Sequence, residues 1–183
     1  MNLFYSPNIT EPVTILSPEE SKHLIRVLRK SVGDIVFFTD GSGFIYECTI
    51  VDANPHNCSI EIINKKTGKD IRDFNLQIAI APTKNISRFE WFLEKSTEIG
   101  IDRIIPIICS HSERKELKIE RLTKVVTTAM KQSLKSHHPE LSNKVSFKEL
   151  INIPFEGEKF IAYIDKDVTP ELSKTYTRGK DVL

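Results

Sequence analysis

Apolar positions along the 183-residue chain change rhythm once, near residue 74. Before that point they come in short runs broken by turns. Val13 to Leu16 is a brief extended run, and Ser17-Pro18-Glu19-Glu20 follows it. That tetrapeptide places an N-cap hydroxyl, a proline at the first helical position and a glutamate at the third, the pattern of a capping box. The helix it opens carries Leu24, Val27 and Leu28 at i, i+3 and i+4, with His23, Arg26, Arg29 and Lys30 around them, and Gly33-Asp34 ends it. Three strand-like runs come next, Asp34–Asp40, Phe44–Asp52 and Cys58–Asn64. The turn Asp40-Gly41-Ser42-Gly43 separates the first pair and Asn54-Pro55 breaks the second. Consecutive strands joined by tight turns predict an antiparallel, barrel-like sheet.

From Phe74 the pattern alternates strands with helices. Phe74 to Ala81 is apolar with few polar breaks, as a strand buried on both faces is. Ser87 to Gly100 predicts a helix with Phe89, Phe92, Leu93 and Ile99 on one stripe, Trp91 as a packing anchor and Gly100 as the stop. Ile104 to Cys109 is a second buried strand. Ile119 to Ser136 is a long amphipathic helix, with Ile119, Leu122, Val125, Val126, Ala129 and Met130 inward. Lys159 to Ile164 is a third strand. This order predicts a parallel α/β sheet, joined to the first block by a polar linker over Lys65 to Asp73. The chain closes on a turn, Arg178-Gly179-Lys180, and on Asp181-Val182-Leu183, which reads as a further strand opening. A domain rarely stops there, so the expectation is that carboxy-terminal residues are missing from this chain.

Composition narrows the class. The 39% hydrophobic fraction suffices for a core, and no apolar run nears the length of a membrane span. The start, MNLFYSPNITEP, has no basic flank or apolar stretch of a signal peptide. Cys48, Cys58 and Cys109 form no CxxC pair, which fits a reducing cytoplasm. The net charge of +1 gives no global reason to expect nucleic acid, but its distribution does. Residues 1–75 balance at −2, residues 84–135 at +4 and residues 136–183 at −1. Anything anionic is therefore expected at the middle third or at the basic first helix.

Motifs of small-molecule chemistry are lacking. There is no GxGxxG and no P-loop lysine, and Gly41-Ser42-Gly43 has the wrong context for either. The five histidines show no HExxH spacing; His137-His138 before Pro139 reads as a helix end, so no metal site is expected. Asp165-Lys166-Asp167 reads as a solvated loop. Spacing alone stops at a two-domain cytoplasmic protein with a basic α/β part.

Four segments carry a resemblance. His23-Leu24-Ile25-Arg26-Val27-Leu28-Arg29 with Gly33-Asp34 resembles the opening signature of the bacterial 16S ribosomal RNA uridine-N3 methyltransferases, the ribosomal RNA small subunit methyltransferase E family. Glu94-Lys95-Ser96-Thr97-Glu98-Ile99-Gly100 is similar to that family's K-[AS]-T-E-[LI]-G helix end. Cys109-Ser110-His111-Ser112-Glu113-Arg114-Lys115 is similar to its Ser-Glu-Arg segment, and Ala129-Met130-Lys131-Gln132-Ser133, with Pro139 after it, to its A-x-x-Q-S helix. The matches keep the family's order over nearly the whole chain.

The resemblance implies an α/β plus β protein. An amino-terminal PUA-like β-barrel over residues 1–70 would bind RNA, and residues 74–183 would form the first part of a SPOUT domain, an α/β fold with a deep trefoil knot. It implies S-adenosylmethionine as cofactor, no metal, the 16S rRNA of the 30S subunit as substrate, and a homodimer with no membrane association. The family's G-P-E-G-G loop and its later L-G-x-x-I-L-R-x-E-T segment have no counterpart before Leu183. The expectation is therefore an incomplete, knot-lacking SPOUT domain whose cofactor contacts lie mostly beyond Leu183, inactive by itself. The catalytic base is unassigned. RNA contacts are expected from Arg26, Arg29 and Lys30 on the first helix, whose guanidinium forks suit phosphate. Lys84 and Arg88 are expected at the crevice after the first α/β strand, and Arg114 is expected to contact RNA or to pair internally with Glu113. Lys95 and Glu98 are close enough on one helix to pair. A non-catalytic RNA-binding module, or a SPOUT enzyme acting on another RNA such as tRNA, is the alternative.

Overall fold

In a computed structural model of the chain, residues 2–9, 12–69, 72–162 and 171–183 are described. The chain forms two units. One comprises residues 1–71 with 124–138, and the other residues 72–123 with 139–183.

In the first unit, β1 (Leu3–Tyr5), β2 (Val13–Ile15), β3 (Ile35–Thr39), β4 (Phe44–Asp52) and β5 (Ser59–Thr67) make one sheet in the order β1-β3-β4-β5-β2. The pairs are antiparallel except β1 with β3, which run parallel, a departure from the wholly antiparallel expectation. Alternation sorts the faces. Val36, Phe38, Tyr46, Cys48, Ile50 and Ile60 point into a core shared with Phe4, Leu16, Leu24 and Cys58. Asp40 builds the β3–β4 turn by accepting from the Ser42 backbone N–H at 2.8 Å and its hydroxyl at 2.6 Å. The expected linker is shorter at its start, because Lys65, Lys66 and Thr67 are the end of β5 and pair with Tyr46, Ile45 and Phe44.

Helix α1 (Pro18–Lys22) is capped by Ser17, whose hydroxyl accepts from the Glu20 N–H at 3.3 Å. The Glu20 carboxylate does not complete the box; it meets the Lys131 ammonium at 2.6 Å. The chain then widens into a π-helical turn, His23–Val27. A π turn places i and i+4 over one another and swings i+3 away. Leu24 is accordingly fully buried and Leu28 packs against the core, whereas Val27, expected inward, is 64% exposed. His23 packs edge-on to Phe4, with ring centroids 5.7 Å apart.

The second unit holds β6 (Gln77–Ile80), β7 (Arg103–Ile108), β8 (Glu140–Leu141) and β9 (Val145–Ser146), all parallel. Strand β7 pairs β6 along one side and β8 then β9 along the other. It is buried through Ile104–Ile107, while β6 is half-buried rather than enclosed on both faces. Val182 bridges both Leu76 and Glu158 in parallel, so the chain's last residues lie between β6 and the segment expected as the third strand. That segment carries backbone hydrogen bonds at Glu158 and Phe160 but no strand through 162; Tyr163 and Ile164, like Asp165-Lys166-Asp167, lie outside the described residues.

Helix α2 (Ile86–Ile99) begins at Asn85, whose side chain accepts from the Ser87 N–H at 3.0 Å, and stops at Gly100 in the left-handed conformation. Its inner stripe is Phe89, Leu93, Ser96 and Thr97. The two hydroxyls bury at no cost in lost hydrogen bonds, because each donates back to the Leu93 carbonyl, Thr97 at 2.7 Å and Ser96 at 3.2 Å. Two sequence expectations are overturned here: Ile99 is 77% exposed and Trp91 is 63% exposed. Trp91 lies on the face opposite the stripe, and Ile99 is the last residue of the helix, to one side of it. Helix α3 (Ile119–Gln132) buries Leu122, Val126, Ala129 and Met130 and ends four residues short of Ser136, its residues through Thr123 belonging to the second unit and those from Lys124 to the first. A short α4 (Phe147–Asn152) starts from a complete Ser146–Glu149 capping box, and α5 (Leu172–Thr175) is a single turn. Among the described residues no helix is long and apolar enough to cross a membrane.

Candidate functional site

Two basic regions emerge, one in each unit. In the first unit the π turn places Arg26 and Arg29 on the surface, both exposed. Arg29 adopts φ +54, so a bulky side chain occupies a position that glycine usually takes at a helix end. The chain is held there by Lys30 N–H donating to the Leu24 carbonyl at 3.1 Å and Leu28 N–H donating to the His23 carbonyl at 3.0 Å. Lys30, half-buried, lies 3.9 Å from Asp34, which also accepts from the Ser31 N–H at 2.9 Å. Arg26, Arg29 and Lys30 thus share one helix end, as the sequence predicted.

In the second unit the residues after the carboxyl ends of β6 and β7 meet. Arg114 donates both Nε (3.2 Å) and Nη2 (2.7 Å) to the Lys84 carbonyl, which ties the β7–α3 segment to the β6–α2 loop. The Lys84 ammonium lies 3.3 Å from Glu113. The expected Glu113–Arg114 pair is therefore replaced by two contacts to Lys84. The reason is local geometry: neighbours in an extended segment point apart, while the loop across the crevice offers a carbonyl in reach. Lys144 clamps the same segment, donating to the Lys115 carbonyl at 2.7 Å and to Glu116 at 2.6 Å, and Arg121 meets Glu90 at 2.7 Å. Arg88 is exposed on the first turn of α2. Lys95 sits 2.8 Å from Glu94 and 3.0 Å from Glu98; the hydrogen bonds its ammonium donates to these two carboxylates hold it above the ordinary lysine range. The three side chains form an ion-pair cluster on the surface of α2.

Two open depressions flank Arg114. One, of about 720 Å³, is lined by Lys84, Glu113, Arg114, Lys115 and Glu116, and the other, of about 450 Å³, by residues including Ile86, Glu90 and Arg121. Among the described residues no group of three metal-binding side chains converges. The crevice suits an anion at its cationic edge, in keeping with its place at the carboxyl ends of parallel strands.

Comparisons with known proteins define the class. Residues 71–183 match the family model described as the RNA methyltransferase domain, and residues 16–63 match the RNA methyltransferase PUA domain. The chain is 30% identical to ribosomal RNA small subunit methyltransferase E of Aquifex aeolicus over 97% of its own length and 79% of that protein. It is 25% identical to the protein of the same name from Bacillus subtilis, over 88% of this chain and 66% of the relative, so it spans just under two thirds of that relative's length. A solved probable rRNA-methyltransferase from Porphyromonas gingivalis superposes with a TM-score of 0.90 at 36% identity, covering 100% of this chain and 77% of that one. A Neisseria gonorrhoeae small subunit methyltransferase E, solved bound to S-adenosyl methionine, shares the fold with a TM-score of 0.71 at 24% identity, over 84% of this chain and 66% of that one. The chain belongs to the ribosomal RNA small subunit methyltransferase E family.

The described residues of the larger depression do not fit a sulfonium cofactor. The larger has only charged side chains on its wall, three of the five cationic, which opposes a positively charged sulfonium and offers no apolar slot for adenine.

Proposed function

We propose that the whole protein methylates N3 of a uridine in 16S rRNA within the small ribosomal subunit, using S-adenosylmethionine, as a cytoplasmic homodimer. The observation that carries this reading is the 30% identity to the Aquifex aeolicus enzyme along 97% of the chain. We place the RNA-binding, PUA-like part over residues 1–70 and the SPOUT part, with its knot, from residue 74 onward. Arg26, Arg29, Lys30, Lys84, Arg88 and Arg114 take the role of RNA contacts; the gathering of Arg26, Arg29 and Lys30 at one helix end and of Lys84 and Arg114 at one crevice supports it, while Arg88 lines neither depression.

The chemistry sets the requirements. Uridine N3 carries a proton at neutral pH and is shielded in any base pair, so the base must be unpaired and the proton removed as the methyl arrives in line. Donors or cations near O2 and O4 would stabilise the developing anion. S-adenosylmethionine supplies the methyl group. The residues of this chain bind and orient the RNA.

A second reading, an RNA-binding module without catalysis, is favoured by the charged walls of the crevice, which fit RNA and not the cofactor. One experiment separates the two. Small subunits lacking the modification are incubated with the protein and methyl-labelled S-adenosylmethionine, and the 16S rRNA is digested for nucleoside mass spectrometry. N3-methyluridine should appear only with the protein present. Binding of the subunits without any methylated nucleoside would replace the enzyme with the module, and methylation at another atom or in another RNA would overturn the substrate.

A further inference from the structure

The outer face of the first unit's sheet is not a simple solvated surface. Strand alternation that sends Val36 and Phe38 inward sends Ile35 and Phe37 outward, and on β4 it sends Ile45 and Glu47 outward. Register puts Phe37 across from Glu47 and Ile45 across from Lys66. Against this face, within the same unit, lies the turn that ends α3, whose Ser136 carbonyl accepts from the Thr39 hydroxyl at 2.8 Å and the Gly43 N–H at 3.0 Å. The result is a groove of about 590 Å³ with Phe37, Ile45 and Leu134 as its apolar floor and Lys66, Lys69 and Lys135 as its cationic rim.

Three features distinguish this groove from an ordinary crease. Leu134 is 40% exposed and has φ +56; with Arg29 it is one of two non-glycine residues at positive φ among those described. The Lys135 N–H donates to the Met130 carbonyl at 3.0 Å around it, so the left-handed stop of α3 is what sets the Leu134 side chain at the groove. Phe37 lines a second depression as well, of about 390 Å³, which contains Lys30 of the basic helix end. The two depressions therefore share Phe37. The rim is cationic: no carboxylate lines the groove, and the one ion pair to its lysines among the described residues is a loose Lys66–Glu47 contact at 3.7 Å.

We propose that this groove binds a single-stranded segment of RNA. Phe37 stacks a base, Ile45 and Leu134 cover its edge, and Lys66, Lys69 and Lys135 take the phosphates, so that the strand runs on past Lys30 toward Arg29. Apolar floor with cationic rim is the combination single-stranded nucleic acid requires, since every base has a flat apolar face and every linkage a charge. A duplex would offer its phosphates and hide its bases, leaving the floor without a partner. The inference rests on the RNA-directed reading above and deepens it, because none of Phe37, Lys66, Lys69 and Lys135 follows from the motifs that carry the family resemblance.

The test is fluorescence anisotropy of the full chain with a labelled, uridine-rich single strand of a dozen nucleotides, titrated at several salt concentrations. Combined Lys66→Ala, Lys69→Ala and Lys135→Ala should weaken binding at least tenfold at low salt and reduce the salt slope by roughly 2, as expected for losing about three phosphate contacts. The corresponding triple change to arginine should hold binding within about threefold, which controls for folding. Phe37→Leu should weaken binding several-fold with the slope unchanged, and Glu47→Gln should tighten it by about twofold. Alanine variants that bind within twofold of the parent at an unchanged slope would overturn the groove, as would a larger loss on a duplex of the same sequence or a parent that binds no RNA at low salt. The methyltransferase reading falls separately, on the absence of a methylated nucleoside, which this binding measurement does not address.

Discussion

The two units solve the burial problem differently. The first closes a core of ten buried residues built mainly on β3, β4 and β5, which follow one another in sequence, with β4 and β5 each nine residues long. The second relies on parallel strands of four, six, two and two residues, brought together across long intervals of chain, with helices on them: Phe89, Leu93, Ile101, Ile104 and Leu122 are buried there, beside a cluster of Ile105, Ile107 and Leu150. Both units leave large apolar side chains exposed, among them Ile15, Val27 and Ile63 in the first and Trp91, Ile99 and Ile161 in the second. Antiparallel hairpins satisfy their backbone and their apolar face locally, whereas a parallel sheet needs both faces covered by crossovers. Chemistry follows this division. The first unit presents a shaped surface fixed by a rigid sheet, and the second presents loops at strand ends tied by Lys84, Arg114 and Lys144.

The sharpest way to break the comparison is to remove one large side chain from each unit. Phe38→Ala empties a fully buried site and should cost about 3–5 kcal/mol in denaturant unfolding. Trp91→Ala, at an exposed position of α2, should cost less than about 0.5 kcal/mol. Equal losses would mean that the second unit buries Trp91 in solution.

A smaller effect is expected where the first unit grips the end of α3. The buried Thr39 hydroxyl donates to the Ser136 carbonyl at 2.8 Å and accepts from the Gly41 N–H at 3.0 Å. Thr39→Val keeps the shape and removes both bonds, so a loss of about 1–3 kcal/mol is expected from chemical denaturation. A neutral outcome would show that water replaces the hydroxyl.

Arg29→Gly separates stability from binding. Glycine is at ease at φ +54, so relief of strain and the added flexibility of the unfolded chain should nearly cancel, leaving stability within about 1 kcal/mol of the parent. RNA affinity should fall at the same time. Stability lost together with affinity would make Arg29 a packing residue.

The smallest effect lies in the thiols. Burial, then the nearby Glu47 charge, pushes the Cys48 thiol up to about 12, and burial with Asp52 pushes Cys58 up to about 11. An unfolded thiol releases its proton first, near pH 9, so between about pH 9 and 12 the unfolded chain holds fewer protons and stability falls as pH rises. At pH 8 an aromatic disulfide reagent should titrate the half-buried Cys109 promptly and the other two only on unfolding. Three fast thiols would show that the first unit opens readily.

Much of this was legible in the residues. The strands at Phe44–Asp52 and Arg103–Ile108, the Asp40–Gly43 turn, the caps at Ser17 and Gly100 and the clustering of Arg26, Arg29 and Lys30 all follow from local preference, which a few neighbouring side chains decide. The inward faces of α3 also followed, because its apolar spacing matches an ordinary helical period. The π turn was not legible: one extra residue per turn leaves no mark on composition, yet it turned Val27 outward. Nor was the burial of Ser96 and Thr97 in place of Ile99, since their hydroxyls become tolerable inside only when backbone carbonyls of the same helix take them.

By itself the sequence determined the two kinds of sheet, the order of their elements and the family to which the chain belongs, because periodicity, turn chemistry and motif order are properties of neighbours along a chain. Only the tertiary structure decided that Lys66, Lys69 and Lys135 share a rim over Phe37, that Arg114 holds the Lys84 carbonyl rather than Glu113, and that Val182 lies between Leu76 and Glu158. Each of those depends on residues far apart in sequence meeting at a few ångströms, and charge and hydropathy read along one dimension carry no information about which distant partners will be in reach.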